Sequence, residues 1–176
     1  MEKKYETAED TMVKSQSKYI VLFSYHWEVI DKLLKLSMNI SDIDYKKHSC
    51  LNNRSIHELW FHLLRADHAW RLGLENGKVN FSSIIDEYPN LISIINGFEA
   101  ERKEWDRFLL NMDNSIIDTT INMIRSNGEK YTFVFWRILE HVLLHGMQHL
   151  SEISQLLTEK GFSPGNIDFV FYREIC

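Results

Sequence analysis

The stretch Ile138-Leu-Glu-His141-Val-Leu-Leu-His145-Gly-Met-Gln-His149-Leu-Ser-Glu152-Ile-Ser-Gln-Leu156 decides the fold. With His145 at zero and ~100° per residue, Ile138, Val142, Ile153 and Leu156 fall at roughly +20° to +80°. Arg137, Gln148, Ser151 and Gln155 lie on the negative side of the same wheel. A helix with one apolar face needs partners to cover it. His149 comes at about +40° and His141 at about −40°, so His145 and His149 turn toward the core while His141 sits on the border. The helix is expected from about Thr132 to Lys160, stopped by Gly161, with a tail containing Pro164, Gly165 and aromatic residues.

Three more helices supply the cover. Ser55-Ile-His57-Glu58 has the form of a capping box, and Asn76-Gly77 offers a left-handed stop after about Glu75. Between them Leu59, Leu63, Ala66 and Trp70 make an apolar stripe that contains His62; His57 and His68 fall on its flanks. Upstream, Ile20, Phe23, Trp27, Ile30 and Leu33 or Leu34 recur at helical spacing within a helix from about Thr11 to Met38. Asn39 to Arg54 reads as a connection, and Phe81 to Tyr88 as a short helical turn. A third bundle helix is expected over Pro89 to Asn111, with Pro89 in its first turn. Ser115 to Phe133 changes period: Ile117, Thr119, Ile121 and Met123 alternate up to Asn127-Gly128, which favours a short hairpin. The expectation is all-α: a four-helix bundle with a short β-hairpin between helices three and four. Residues 1–176 form one domain in this reading, with Met1 to about Asp10 loose.

Composition narrows the function. The 176 residues are 44% hydrophobic and 26% charged, ordinary values for a globular domain. Lys and Arg number 20 against 25 Asp and Glu, a formal charge of −5, so the basic footprint of a nucleic-acid binder is missing at whole-chain level. Cys50 and Cys176 are too few for a disulfide framework, which points to a reducing, cytoplasmic setting. The polar start Met1-Glu-Lys-Lys-Tyr-Glu6 lacks the apolar run of a signal peptide. No apolar run approaches membrane-spanning length, so no membrane association is expected.

Six of the eight histidines fall in two groups, His57, His62, His68 and His141, His145, His149. Residues four apart on a helix stack with Cβ atoms ~5–6 Å apart, so His145 and His149 can converge on one ion. His62 from a facing helix would complete a three-nitrogen set with open positions, the pattern of catalytic rather than structural zinc. Three imidazoles suit Zn²⁺, Ni²⁺, Fe²⁺ or Cu²⁺, with Zn²⁺ or Ni²⁺ the first expectation and Fe²⁺ next. The alternative is a set of hydrogen-bonded core histidines. Burying unsatisfied imidazoles is costly, and that favours the metal. His26, His48, His57 and His68 read as surface or flank residues. Asp67 and Glu152 are candidates to accept from the free N–H groups of the ligand imidazoles, or are plain surface charges. Trp27, Trp70, Trp105 and Trp136 read as core, with Trp27 and Trp70 the alternatives for lining a pocket.

The run from His141 to Glu152, followed by Gly161-Phe-Ser-Pro164-Gly-Asn-Ile-Asp168, resembles the DinB-like metal-binding four-helix bundle family. Leu59-Trp-Phe-His62-Leu-Leu-Arg-Ala-Asp67-His-Ala-Trp70 is similar to that family's second-helix histidine, acidic residue and tryptophan. The resemblance implies that His62, His145 and His149 bind a divalent metal at one end of the bundle. Many members carry Arg after the last histidine, where this chain has Leu150, so a role for that arginine does not transfer. The family often forms dimers, which implies a homodimer. Members with known activity include thiol transferases using low-molecular-weight thiols and mycothiol-dependent isomerases. The resemblance therefore implies a metal-dependent thiol S-transferase acting on a small molecule, with a low-molecular-weight thiol as co-substrate. A metallohydrolase with the same ligands, a non-catalytic metal-binding stress-response protein and a metal-free bundle are the alternatives.

Overall fold

A computed structural model describes residues 8–50, 53–82 and 85–172 of the chain. Four long helices dominate: α1 (Ala8–Ser37), α3 (Ile56–Asn76), α4 (Leu91–Asn111) and α5 (Phe135–Glu159). A five-residue helix, α2 (Asp42–Lys46), lies in the connection after α1. α1 and α3 each pack against both α4 and α5, so these two helices stand on one diagonal of the bundle. Large side chains fill the centre: Phe23, Trp27, Trp60, Trp105, Leu59, Leu63 and Ile94 are almost entirely buried. Phe23 packs on Trp105 with ring centres 4.5 Å apart, and the Trp60 indole N–H donates to Ser37 Oγ.

The helix boundaries have local causes. At α3 the Ser55 hydroxyl accepts from the Glu58 N–H while the Glu58 carboxylate accepts from the Ser55 N–H, the expected reciprocal cap. Gly77 ends the helix at φ 73°, a left-handed conformation that suits glycine. α4 starts two residues later than expected, at Leu91. Asn90 is its cap, accepting from the Ser93 N–H, and Pro89 precedes the cap instead of sitting in the first turn. α2 was hidden in what reads as a plain connection; Ser41 caps it and Tyr45 buries its one apolar face. Ile85–Glu87 forms the short 3-10 turn expected before Pro89.

The hairpin exists, with β2 (Thr120–Arg125) antiparallel to β3 (Lys130–Val134) and Asn127-Gly128 in its turn. It is not alone. β1 (Lys78–Val79) pairs parallel with β2, placing Lys78 opposite Ile124 and Val79 opposite Arg125. The left-handed Gly77 turns the chain straight from α3 into β1, and buried Val79 packs over Gly73. A two-residue strand carries no periodicity to read. Of the stretch expected to be loose, residues 1–7 lie outside the described residues, and α1 already includes Ala8 to Asp10. Cys176 also lies outside them. Among the described residues no helix is long and apolar enough to cross a membrane.

Candidate metal centre

α5 and α3 are neighbours, and the histidines expected to meet lie at their seam. On α5, Ile138, Val142, Ile153 and Leu156 are buried while Arg137, Gln148, Ser151 and Gln155 are exposed, matching the helical wheel. His149 is buried; His145 and His62 are half-buried. His62 Nε2 lies 3.2 Å from His145 Nε2, and His149 Nε2 lies 3.1 Å from the same atom. One ring nitrogen from each residue falls within 4.8 Å of the others.

This meeting fits a cation better than a proton. Each Nε2···Nε2 contact can hold one hydrogen, whereas a tetrahedral ion at 2.0–2.1 Å from each ligand spaces its nitrogens by roughly 3.3 Å. The Glu152 carboxylate accepts from His149 Nδ1–H at 3.1 Å, which leaves the Nε2 lone pair facing the shared point. His145 Nδ1 is buried without a hydrogen-bond partner among the described residues. Burial pushes the His62 pKa from 6.5 down to about 4, helped by the charges of His149, Arg54 and Arg65 and opposed by Glu152. Burial likewise pushes His145 to about 4, with His149, His62, His141 and His26 adding to it. Both rings are therefore neutral at pH 7, with lone pairs free to donate to a metal.

Other expectations need revision. Asp67 serves none of these three imidazoles. It lies roughly 140° round α3 from His62, and its Oδ2 meets His26 Nε2 at 3.1 Å. His26, expected on a flank, is 1% exposed, and this bond crosses the bundle diagonal from α1 to α3. Burial raises the Asp67 pKa, with His26 opposing. Gly146, next to His145, gives His26 its space: a Cβ there would overlap the imidazole. His57 is also buried, its Nε2–H donating to the Tyr88 carbonyl at 2.6 Å. His68 pairs with Glu101, and exposed His48 pairs with Glu58. Trp27 is core. Trp70 packs edge-on against His141, Phe81 and Phe133, with no ring contact to the trio. Trp136 is 36% exposed because it falls opposite the apolar face of α5. The sequence signal for the buried dyad was a glycine in mid-helix, which costs helix stability unless something needs the room.

A helical bundle with three convergent histidines at one seam defines the class. The model of the DinB family matches residues 12–175, and the chain belongs to that family. It is 22% identical over 148 residues to the uncharacterized protein YizA of Bacillus subtilis (strain 168), covering 84% of this chain and 91% of that protein.

Proposed function

We propose that this chain is a divalent-metal-dependent enzyme acting on small molecules, with His62, His145 and His149 as the metal ligands. The observation that carries the metal is the approach of three Nε2 atoms, two pairs of them at 3.1 and 3.2 Å. The reaction proposed is transfer of a low-molecular-weight thiol, on the strength of the family resemblance. A Zn²⁺ or Ni²⁺ ion, or Fe²⁺ next, held by these three residues would supply Lewis acidity that lowers the pKa of a thiol or water toward neutral. The chain's own contribution is orientation. Glu152 holds the His149 tautomer, and neutral His62 and His145 present lone pairs without first losing a proton. The proposal extends to a homodimer in the cytoplasm, from the family resemblance and the cysteine count.

Tag-free protein is expected to carry about one divalent ion per chain, lost in His145→Ala and in His149→Ala, by elemental analysis. Thiol consumption with glutathione, bacillithiol and mycothiol against a panel of electrophiles should then depend on the metal. A fully loaded protein with no turnover across the panel would leave a metal-binding protein and overturn the transferase.

A further inference from the structure

Among the described residues Arg65 has no acidic partner. Its neighbours one turn away on α3 are Phe61, His62, His68 and Ala69, none of them acidic. Its guanidinium lies against the rings of Phe61 and Phe81, at 5.3 and 5.9 Å from their centres. The Nε atom is buried and has no hydrogen-bond partner among the described residues. Carboxylates around it are engaged elsewhere: Glu101 and Glu104, which line a cavity with Arg65, pair with Arg71 and Arg107. Glu58 accepts from the Ser55 N–H and hydroxyl and pairs with His48, and Glu152 accepts from His149. Arg71, two turns on, shows what this helix does with a structural arginine. Its Nε donates to Glu101 at 2.6 Å, Nη2 to the other Glu101 oxygen at 3.1 Å and Nη1 to Glu75 at 2.8 Å. A half-buried guanidinium whose Nε meets no acceptor among the described residues carries a desolvation cost that aromatic faces offset only in part.

The position of Arg65 gives that cost a use. One turn from His62, its Cβ lies ~5–6 Å from that of the histidine, on the same side of α3. The Arg54 charge also acts on His62, and the Glu152 carboxylate opposes both. On its far side Arg65 lines a cavity of about 250 Å³ between α3 and α4, with Phe61, Tyr88 and Ala100 among the other walls. We infer that Arg65 receives the carboxylate of the small molecule whose reacting group faces the three imidazoles, so that the thiol substrate is an acid. This rests on the metal-centre reading above. The guanidinium fork matches a carboxylate in two parallel hydrogen bonds, and a site that leaves the fork empty rejects the uncharged analogue.

The test uses the Co²⁺-loaded full chain, titrated with mercaptobutanoate and mercaptohexanoate and with the amide of each. Thiolate-to-cobalt absorption reports binding without any turnover. The parent should bind the acid about tenfold more tightly than the amide at one of the two lengths. Arg65→Gln should bring that ratio to about one while cobalt uptake and amide affinity hold, and Arg65→Lys should keep part of it. A parent that binds acid and amide alike at both lengths needs no variant to overturn the assignment. A ratio that survives in Arg65→Gln overturns it too, since the carboxylate would then be meeting something else. A parent that takes up no cobalt overturns the metal centre, and the role of Arg65 falls with it.

Discussion

Glu152 sits three residues after His149, and the bond between them is made within a single turn of α5. Because the carboxylate accepts a hydrogen bond from Nδ1–H, the imidazole is held in the tautomer whose Nε2 can donate to a metal. Glu152→Gln keeps the shape but weakens that hold. Metal affinity should fall about 10–100-fold, read by competition with a chelator, with the helical circular dichroism unchanged. An unchanged affinity would mean that packing alone orients His149. Asp67 shows the other side of local reading. It is an acid five residues after His62, yet the helical turn carries it away from that histidine toward α1, where His26 waits. Which of the two acids serves the trio follows from angle along the helix, and angle alone does not say what stands opposite.

At the scale of elements, α1 and α5 approach closely where His26 meets Gly146. Gly146→Ala adds a methyl group where the imidazole lies. Overpacking costs ~1–3 kcal/mol, and the better helix propensity of alanine returns about 1 kcal/mol. A net loss of stability in urea unfolding is the expected outcome. An alanine variant more stable than the parent would show that His26 can move aside freely. His26 also holds Asp67, so the displaced ring would disturb a buried polar bond that ties α1 to α3 across the diagonal.

For the whole molecule, the depressed histidines make stability depend on pH. His62 and His145 take up protons near 6.5 in the unfolded chain but near 4 in the fold. Between those values the unfolded chain binds more protons, so the metal-free fold is at full strength above about 6.5 and weakens as pH falls toward 4. Asp67 acts in the opposite sense, because its raised pKa favours the fold in acid. Comparison with His62→Gln isolates the histidine part: urea midpoints should fall less steeply with acid in the variant. Equal slopes would show that His62 is protonated in the fold as readily as in the open chain. Metal should raise the melting temperature at pH 7, and this gain should vanish with chelator or below pH 4.

Much of the architecture was written in local pattern. The amphipathic wheel of α5, the Ser55–Glu58 cap and the Asn127-Gly128 turn each involve residues within a few positions of one another, and each took its expected form. The inward phase of His62, His145 and His149 was legible for the same reason. Short elements escaped: α2 has five residues and β1 two, too few to show a period, and both depend on the elements they pack against. Only the assembled bundle decided that three ring nitrogens converge, that His26 and Asp67 meet on a diagonal, and that Arg65 Nε meets no acceptor among the described residues. Helical repeat sets the direction of a side chain from its own sequence neighbours, whereas distance between helices is set by how dozens of distant side chains pack together.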